Sequence, residues 1–105
     1  MKRVILPDAE ADLRAGSRFY QSREKGLGKE FRHEFREACT EIVSNPLAFP
    51  EYEGGDVRVY IMSRFPYSIV YAIKSEVIGI VALIHHSRGP TYWNRRLAQW
   101  RHSQA

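Results

Sequence analysis

The chain has 105 residues, 44% apolar and 27% charged, a balance that suits one domain with one core and argues against disorder. No apolar run approaches the ~20 residues of a bilayer span, the opening MKRVILPDAEADLR is too briefly apolar for a secretory signal, and the lone Cys39 excludes an internal disulfide or a multi-cysteine metal site. Residues 1–76 hold 12 basic and 12 acidic side chains, whereas residues 77–105 hold Arg88, Arg95, Arg96 and Arg101 and no acid, so the formal +4 sits in the last quarter. A cytoplasmic location is expected.

Val4 to Leu6 has the pattern of a short strand, stopped by Pro7, whose ring removes a ladder donor. Asp8 is placed to N-cap a first helix, and Glu10 and Asp12 add negative charge near its positive end. In that helix Ala9, Leu13, Gly16 and Tyr20 share one face, widened by Phe19, while Arg14, Arg18 and Glu24 face water. Gly26-Leu27-Gly28 breaks the chain between helices. The second helix carries a core stripe of Leu27, Phe31, Phe35, Ala38 and Ile42, spaced four, four, three and four. Its other faces alternate acids and bases, and Cys39 falls within the pattern as a small semi-buried filler. Asn45-Pro46 ends it. So short a joint predicts an antiparallel αα-hairpin.

Residues 46–55 are irregular, with two prolines and the pair Gly54-Gly55. Three strand patterns follow: Val57–Ile61, Tyr67–Ile73 and Val77–Ile84, separated by Phe65-Pro66 and by a Lys74-Ser75-Glu76 hairpin turn. The last is almost wholly apolar, as in a central strand covered on both faces. Gly79 within it marks a bulge or a close backbone approach. Tyr92 to Trp100 suits a final helix, with residues 102–105 fraying. The expected fold class is α+β, in the order β-α-α-β-β-β with a C-terminal helix, a helical hairpin packed on an antiparallel sheet, as one domain over residues 1–105.

Most familiar chemistry is missing. His85 and His86 are adjacent on a strand and point to opposite faces, so they are poorly placed to chelate one ion, and no metal or cofactor is expected. Gly26-Leu27-Gly28-Lys29 lacks the phosphate-loop spacing, and there is no nucleophile elbow. The remaining source of chemistry is basic. With the three strands paired in sequence order, Arg58, Arg64, His86, Arg88 and Tyr92 surround one patch able to hold a phosphate, stack a base on Tyr92 or Trp93, or receive an acidic peptide. The bland alternative is that the arginines are solvated while Trp93 and Trp100 pin the last helix to the core. As a metal-independent nuclease the set is thin. It must deprotonate a 2′-hydroxyl, neutralise a pentavalent phosphate and protonate a leaving oxygen.

The segments PDAEADLRAG, GLGKEFRHEFREACTEIVSNPLAFP, FPYSIVYAI and IVALIHHSRGPTYWNRR, in this order over roughly residues 3–97, resemble toxins of the RelE/ParE superfamily of bacterial type II toxin–antitoxin modules. The resemblance implies a helical hairpin on an antiparallel sheet and a cognate antitoxin that wraps and neutralises the toxin. RelE-like members cut mRNA in the ribosomal A site with several Lys and Arg on the central strands and a C-terminal Tyr. ParE-like members generally lack that set, and those characterised poison DNA gyrase. Tyr92 matches the C-terminal Tyr, but the cationic strand positions hold Val59, Ile61 and Ser68, which places the chain nearer the ParE branch.

Three readings follow from the resemblance: a gyrase poison that is not an enzyme, a ribosome-dependent endoribonuclease acting through Arg58, Arg64, His86, Arg88 and Tyr92, or a degenerate toxin that only binds its antitoxin and corepresses their operon. For the first, Arg88, Tyr92, Trp93, Arg95 and Arg96 are the expected target contacts. An amphipathic antitoxin segment is expected in the groove between the helical hairpin and the sheet, against Leu13, Phe19, Tyr20, Arg58 and Arg101, with an acidic flank facing Arg88 to Arg101. With no helix-turn-helix signal, sequence-specific DNA binding is expected from the antitoxin alone.

Overall fold

The structure, a computed structural model, describes residues 1–52 and 57–103. The elements run β1 (Lys2–Ile5), α1 (Pro7–Arg23), α2 (Leu27–Ser44), β2 (Val57–Ile61), β3 (Tyr67–Lys74), β4 (Val77–His85), a 3₁₀ turn (Pro90–Trp93) and α3 (Asn94–Ser103). The expected pair Gly54-Gly55 and the last two residues lie outside the described residues.

The first helix begins one residue earlier than the expected Asp8 cap. Leu6 is the N-cap in extended conformation, and Pro7 takes the first helical position, where a missing N–H is no loss. Asp8 joins Glu10 in the first turn. The hairpin joint is tight: the Gln21 side-chain oxygen accepts from the N–H groups of Gly26 and Gly28, at 3.1 and 3.2 Å. At Gly28 the helices cross so closely that a Cβ would lie 2.5 Å from the Ser17 carbonyl oxygen.

The sheet order is β1-β4-β3-β2. β2, β3 and β4 pair antiparallel in sequence order, as expected, and β1 adds a parallel pair on the outside of β4. The β3–β4 hairpin turns on two residues, Ser75 and Glu76, with φ of 52° and 60°. Left-handed backbone at both central positions matches the twist of the flanking strands.

β4 carries a bulge. Val70 pairs with Ala82 and Tyr71 with Ile80, which leaves Val81 as the extra residue. The inside–outside alternation therefore flips there. Ile78, Ile80 and Leu83 face the helical hairpin with Phe31, Phe35, Ile42, Ile69 and Tyr71. Val81 and Ala82 face α3 with Val57, Val70, Ala72, Trp93, Leu97 and Trp100. β4 is thus a central strand covered on both sides. Two details depart from the periodic reading: Cys39 is fully buried, which pushes its thiol up to about 11 despite Arg3, and Phe19 remains 47% exposed.

Gly79 marks the close approach. A Cβ there would lie 2.6 Å from the Trp100 ring, so α3 rests on bare backbone. Gly→Ala in a strand normally helps by restricting the unfolded chain. Here Gly79→Ala is expected to destabilise by about 1–3 kcal/mol through overpacking. Urea unfolding checks this; an unchanged or higher midpoint contradicts the close seating of α3.

Candidate functional site

β1 is short, and its consequences organise the surface. The last bond from this side is Leu6 N–H to the Ile80 carbonyl, so among the described residues the outer edge of β4 beyond Ile80 has no strand partner. Side chains take over. The Asp12 carboxylate, on α1, accepts from the Leu83 N–H at 3.1 Å, and Arg96, on α3, donates to the Val81 carbonyl at 3.4 Å. The two side chains are joined by paired bonds of 2.5 and 3.1 Å. Tyr92 completes the cluster by donating its hydroxyl to Asp12 at 3.0 Å.

The Asp12 and Arg96 side chains are only 8% and 14% exposed, so this is a buried charge pair. Burial works against the Arg96 charge, but the bonds and field of Asp12 outweigh it and hold the guanidinium above its ordinary value. Asp8 adds a weaker contact to Arg96 at 3.6 Å. The guanidiniums of Arg88 and Arg96 lie over the Tyr92 ring, 4.5 and 4.7 Å from its centre.

The cluster lines one cleft, and two further concavities lie elsewhere on the surface. A cleft of about 660 Å³ opens between α1 and the β4–3₁₀ connection, bordered by Phe19, Tyr67, His85, Ser87, Arg88 and Tyr92. On the opposite sheet face, a hollow of about 360 Å³ is lined by Val59, Ile61, Ser68, Ile84, His86 and Trp93, with Arg88 on its rim as well. A third groove of about 490 Å³ runs between β1 and the helical hairpin. Its floor is Ile5, Leu13, Phe35 and Cys39, and its rim carries Arg3, Arg14, Arg32 and Arg36 against a single acid, Glu10.

The expected five-residue patch is not assembled. Arg58 donates to the carbonyls of Leu47 and Phe49 and to Glu51, fastening the segment before β2. Arg64 is held on the hairpin side, its N–H bonded to Glu34 and its guanidinium to Glu30. Only His86, Arg88 and Tyr92 come from one neighbourhood, and Tyr92 turns its hydroxyl toward Asp12. His85 and His86 do open onto opposite faces, with His85 beside Tyr67 and His86 Nε2 within 3.0 Å of the Ser68 hydroxyl. Among the described residues no cluster of three or more His, Cys, Asp or Glu is arranged to hold a metal.

Of the expected target contacts, Arg88 and Arg95 are exposed, Arg96 is spent on Asp12, and Trp93 is 3% exposed within the core, so it offers no face for stacking. Of the expected antitoxin contacts, only Leu13 lines the hairpin–strand groove. Phe19 borders the larger cleft, Tyr20 packs among Phe31, Phe65 and Tyr67, Arg58 serves its loop, and Arg101 lies on α3 with its carbonyl accepting from Lys74. Sequence reasoning missed the rim arginines because each reads singly as a solvated helix or strand residue. It took Asp12 for a dipole charge.

Removing Asp12 leaves the Arg96 guanidinium, among the described residues, only the longer carboxylate contact to the exposed Asp8. Asp12→Asn is expected to lower stability by about 3–5 kcal/mol, whereas Asp12→Leu with Arg96→Met recovers much of that loss. Chemical denaturation of the single and double variants checks this. A loss under about 1 kcal/mol for Asp12→Asn contradicts the buried pairing.

Comparison with known proteins agrees with this architecture. Residues 4–90 match the family described as ParE toxin of type II toxin-antitoxin system, parDE. A solved structure described as the chromosomal ParDE TA system from P. aeruginosa superposes with a TM-score of 0.67 at 22% identity, covering 81% of this chain and 95% of that one. Comparison with curated protein sequences finds no match. The chain belongs to the ParE toxin family of type II toxin–antitoxin systems.

Proposed function

We propose that this toxin arrests growth by binding a protein target, DNA gyrase, rather than by cutting mRNA, and that a cognate antitoxin neutralises it by direct binding. The observation that carries the reading is the open sheet face opposite the helical hairpin. Its strand positions are Val59, Ile61, Ser68 and Ile84, and Ile61 is 67% exposed. Metal-independent RNA cleavage needs a base, a cationic cradle for the phosphorane and an acid. Among the described residues that border this face, His86 and Arg88 are the titratable or cationic groups besides Tyr52. An apolar hollow rimmed by one arginine is suited to receive a protein surface.

The groove between β1 and the helical hairpin supports the antitoxin half of the reading. An apolar floor ringed by four arginines matches an amphipathic, acidic segment, and β1 is an edge strand with its outer side unpaired in the sheet. The expected location in the hairpin–sheet groove is kept. The complementary charge moves from Arg88–Arg101 to Arg3, Arg14, Arg32 and Arg36.

With purified toxin in excess, gyrase supercoiling is expected to stop and cleaved DNA to accumulate, while ribosomes programmed with mRNA show no A-site cuts. Uninhibited gyrase together with A-site cleavage reverses the assignment. For the groove, Arg36→Glu, at an exposed position, is expected to slow antitoxin association about tenfold at low salt and much less at high salt. Equal rates for wild type and variant contradict the electrostatic part.

A further inference from the structure

The cleft between α1 and the β4–3₁₀ connection lies apart from the antitoxin groove and shares only Arg88 with the lining of the target face. We propose that it binds a single-stranded nucleic acid segment, with a phosphate held by Arg88 and His85 and a base laid against the Phe19 rim.

The donors are specific. Arg88 is exposed at the cleft mouth, and among the described residues it has no carboxylate within ion-pair distance; its guanidinium rests on the Tyr92 ring. His85 Nδ1 accepts from the Ser87 N–H at 3.0 Å and lies 2.8 Å from the Ser87 hydroxyl. The neutral ring therefore carries its proton on Nε2, a second donor beside Arg88. The one carboxylate lining the cleft, Asp12, is already engaged by Arg96, Tyr92 and the Leu83 N–H. The cleft thus presents donors and no competing acid.

The rings favour a nucleotide strand over an acidic peptide. A peptide carboxylate needs a cation but no planar partner. Here the lining sets the Arg88 and His85 donors beside the rings of Phe19 and Tyr67; Arg23, outside the lining, lies over Phe19 at 4.8 Å from its ring centre, and Tyr92 is already covered by Arg88 and Arg96. A strand that alternates phosphates with flat bases uses both features, and base–aromatic stacking tolerates any sequence. The volume of about 660 Å³ falls in the range of sites for a ligand of nucleotide size.

Fluorescence polarisation with purified toxin and a labelled oligothymidine of about eight nucleotides tests this. Binding is expected, weakening as salt rises. Arg88→Ala is expected to weaken it about tenfold and Phe19→Ala about fivefold, while Lys29→Ala, outside the cleft lining, leaves it unchanged. All three positions are exposed, and circular dichroism confirms that each variant is folded. The proposal is overturned by absence of binding at low salt, or by binding indifferent to both cleft variants. A glutamate-rich peptide that binds more tightly through Arg88 also overturns it and reassigns the cleft to a polypeptide. Gyrase inhibition is scored separately, so failure of the cleft leaves the target reading standing.

Discussion

The buried pair between Asp12 and Arg96 ties together the three parts of the molecule that shape its surface. β1 stops short of covering β4, and the pair fills the gap by satisfying the Leu83 N–H and the Val81 carbonyl. In doing so it links α1 to α3 across the edge of the sheet. Such a pair is a weak source of net stability, because desolvation offsets most of its attraction. Its contribution is positional: it sets α3 and the 3₁₀ turn in register, and with them Tyr92 and the Arg88 guanidinium.

The bulge at Val81 has an equally directional effect. By adding one residue to β4 it turns Val81 and Ala82 toward α3 and returns Leu83 to the hairpin side. Both faces of one strand become core, and the chain builds two packed layers from a small sheet. The second layer is incomplete. α3 covers the part of the sheet around Val57, Val70 and Ala72, while Val59, Ile61 and Ile84 border an open hollow. That uncovered remainder is the face we assign to a protein target.

Much of this was legible in the sequence. The stripe of Phe31, Phe35, Ala38 and Ile42 announces α2 because burial imposes the 3.6-residue period, and the apolar run from Val77 announces a central strand. Gly79 signals a close approach, though not that Trp100 is what approaches. The site was less legible because it depends on long-range placement. Asp12 and Arg96 are 84 residues apart, and nothing local distinguishes either from a solvated charge. In sequence Arg58 and Arg64 read as partners of Arg88, because the carbonyls and carboxylates that hold them elsewhere are set by tertiary placement. The parallel β1 and the groove it makes with the hairpin follow from topology, which local patterning does not encode.

The proposed target sets the toxin against DNA topology rather than against the ribosome. Pulse labelling of DNA and protein synthesis, within minutes of inducing the chain without an antitoxin, tests that most directly. The account predicts that DNA synthesis falls first while protein synthesis continues. Protein synthesis falling first contradicts it.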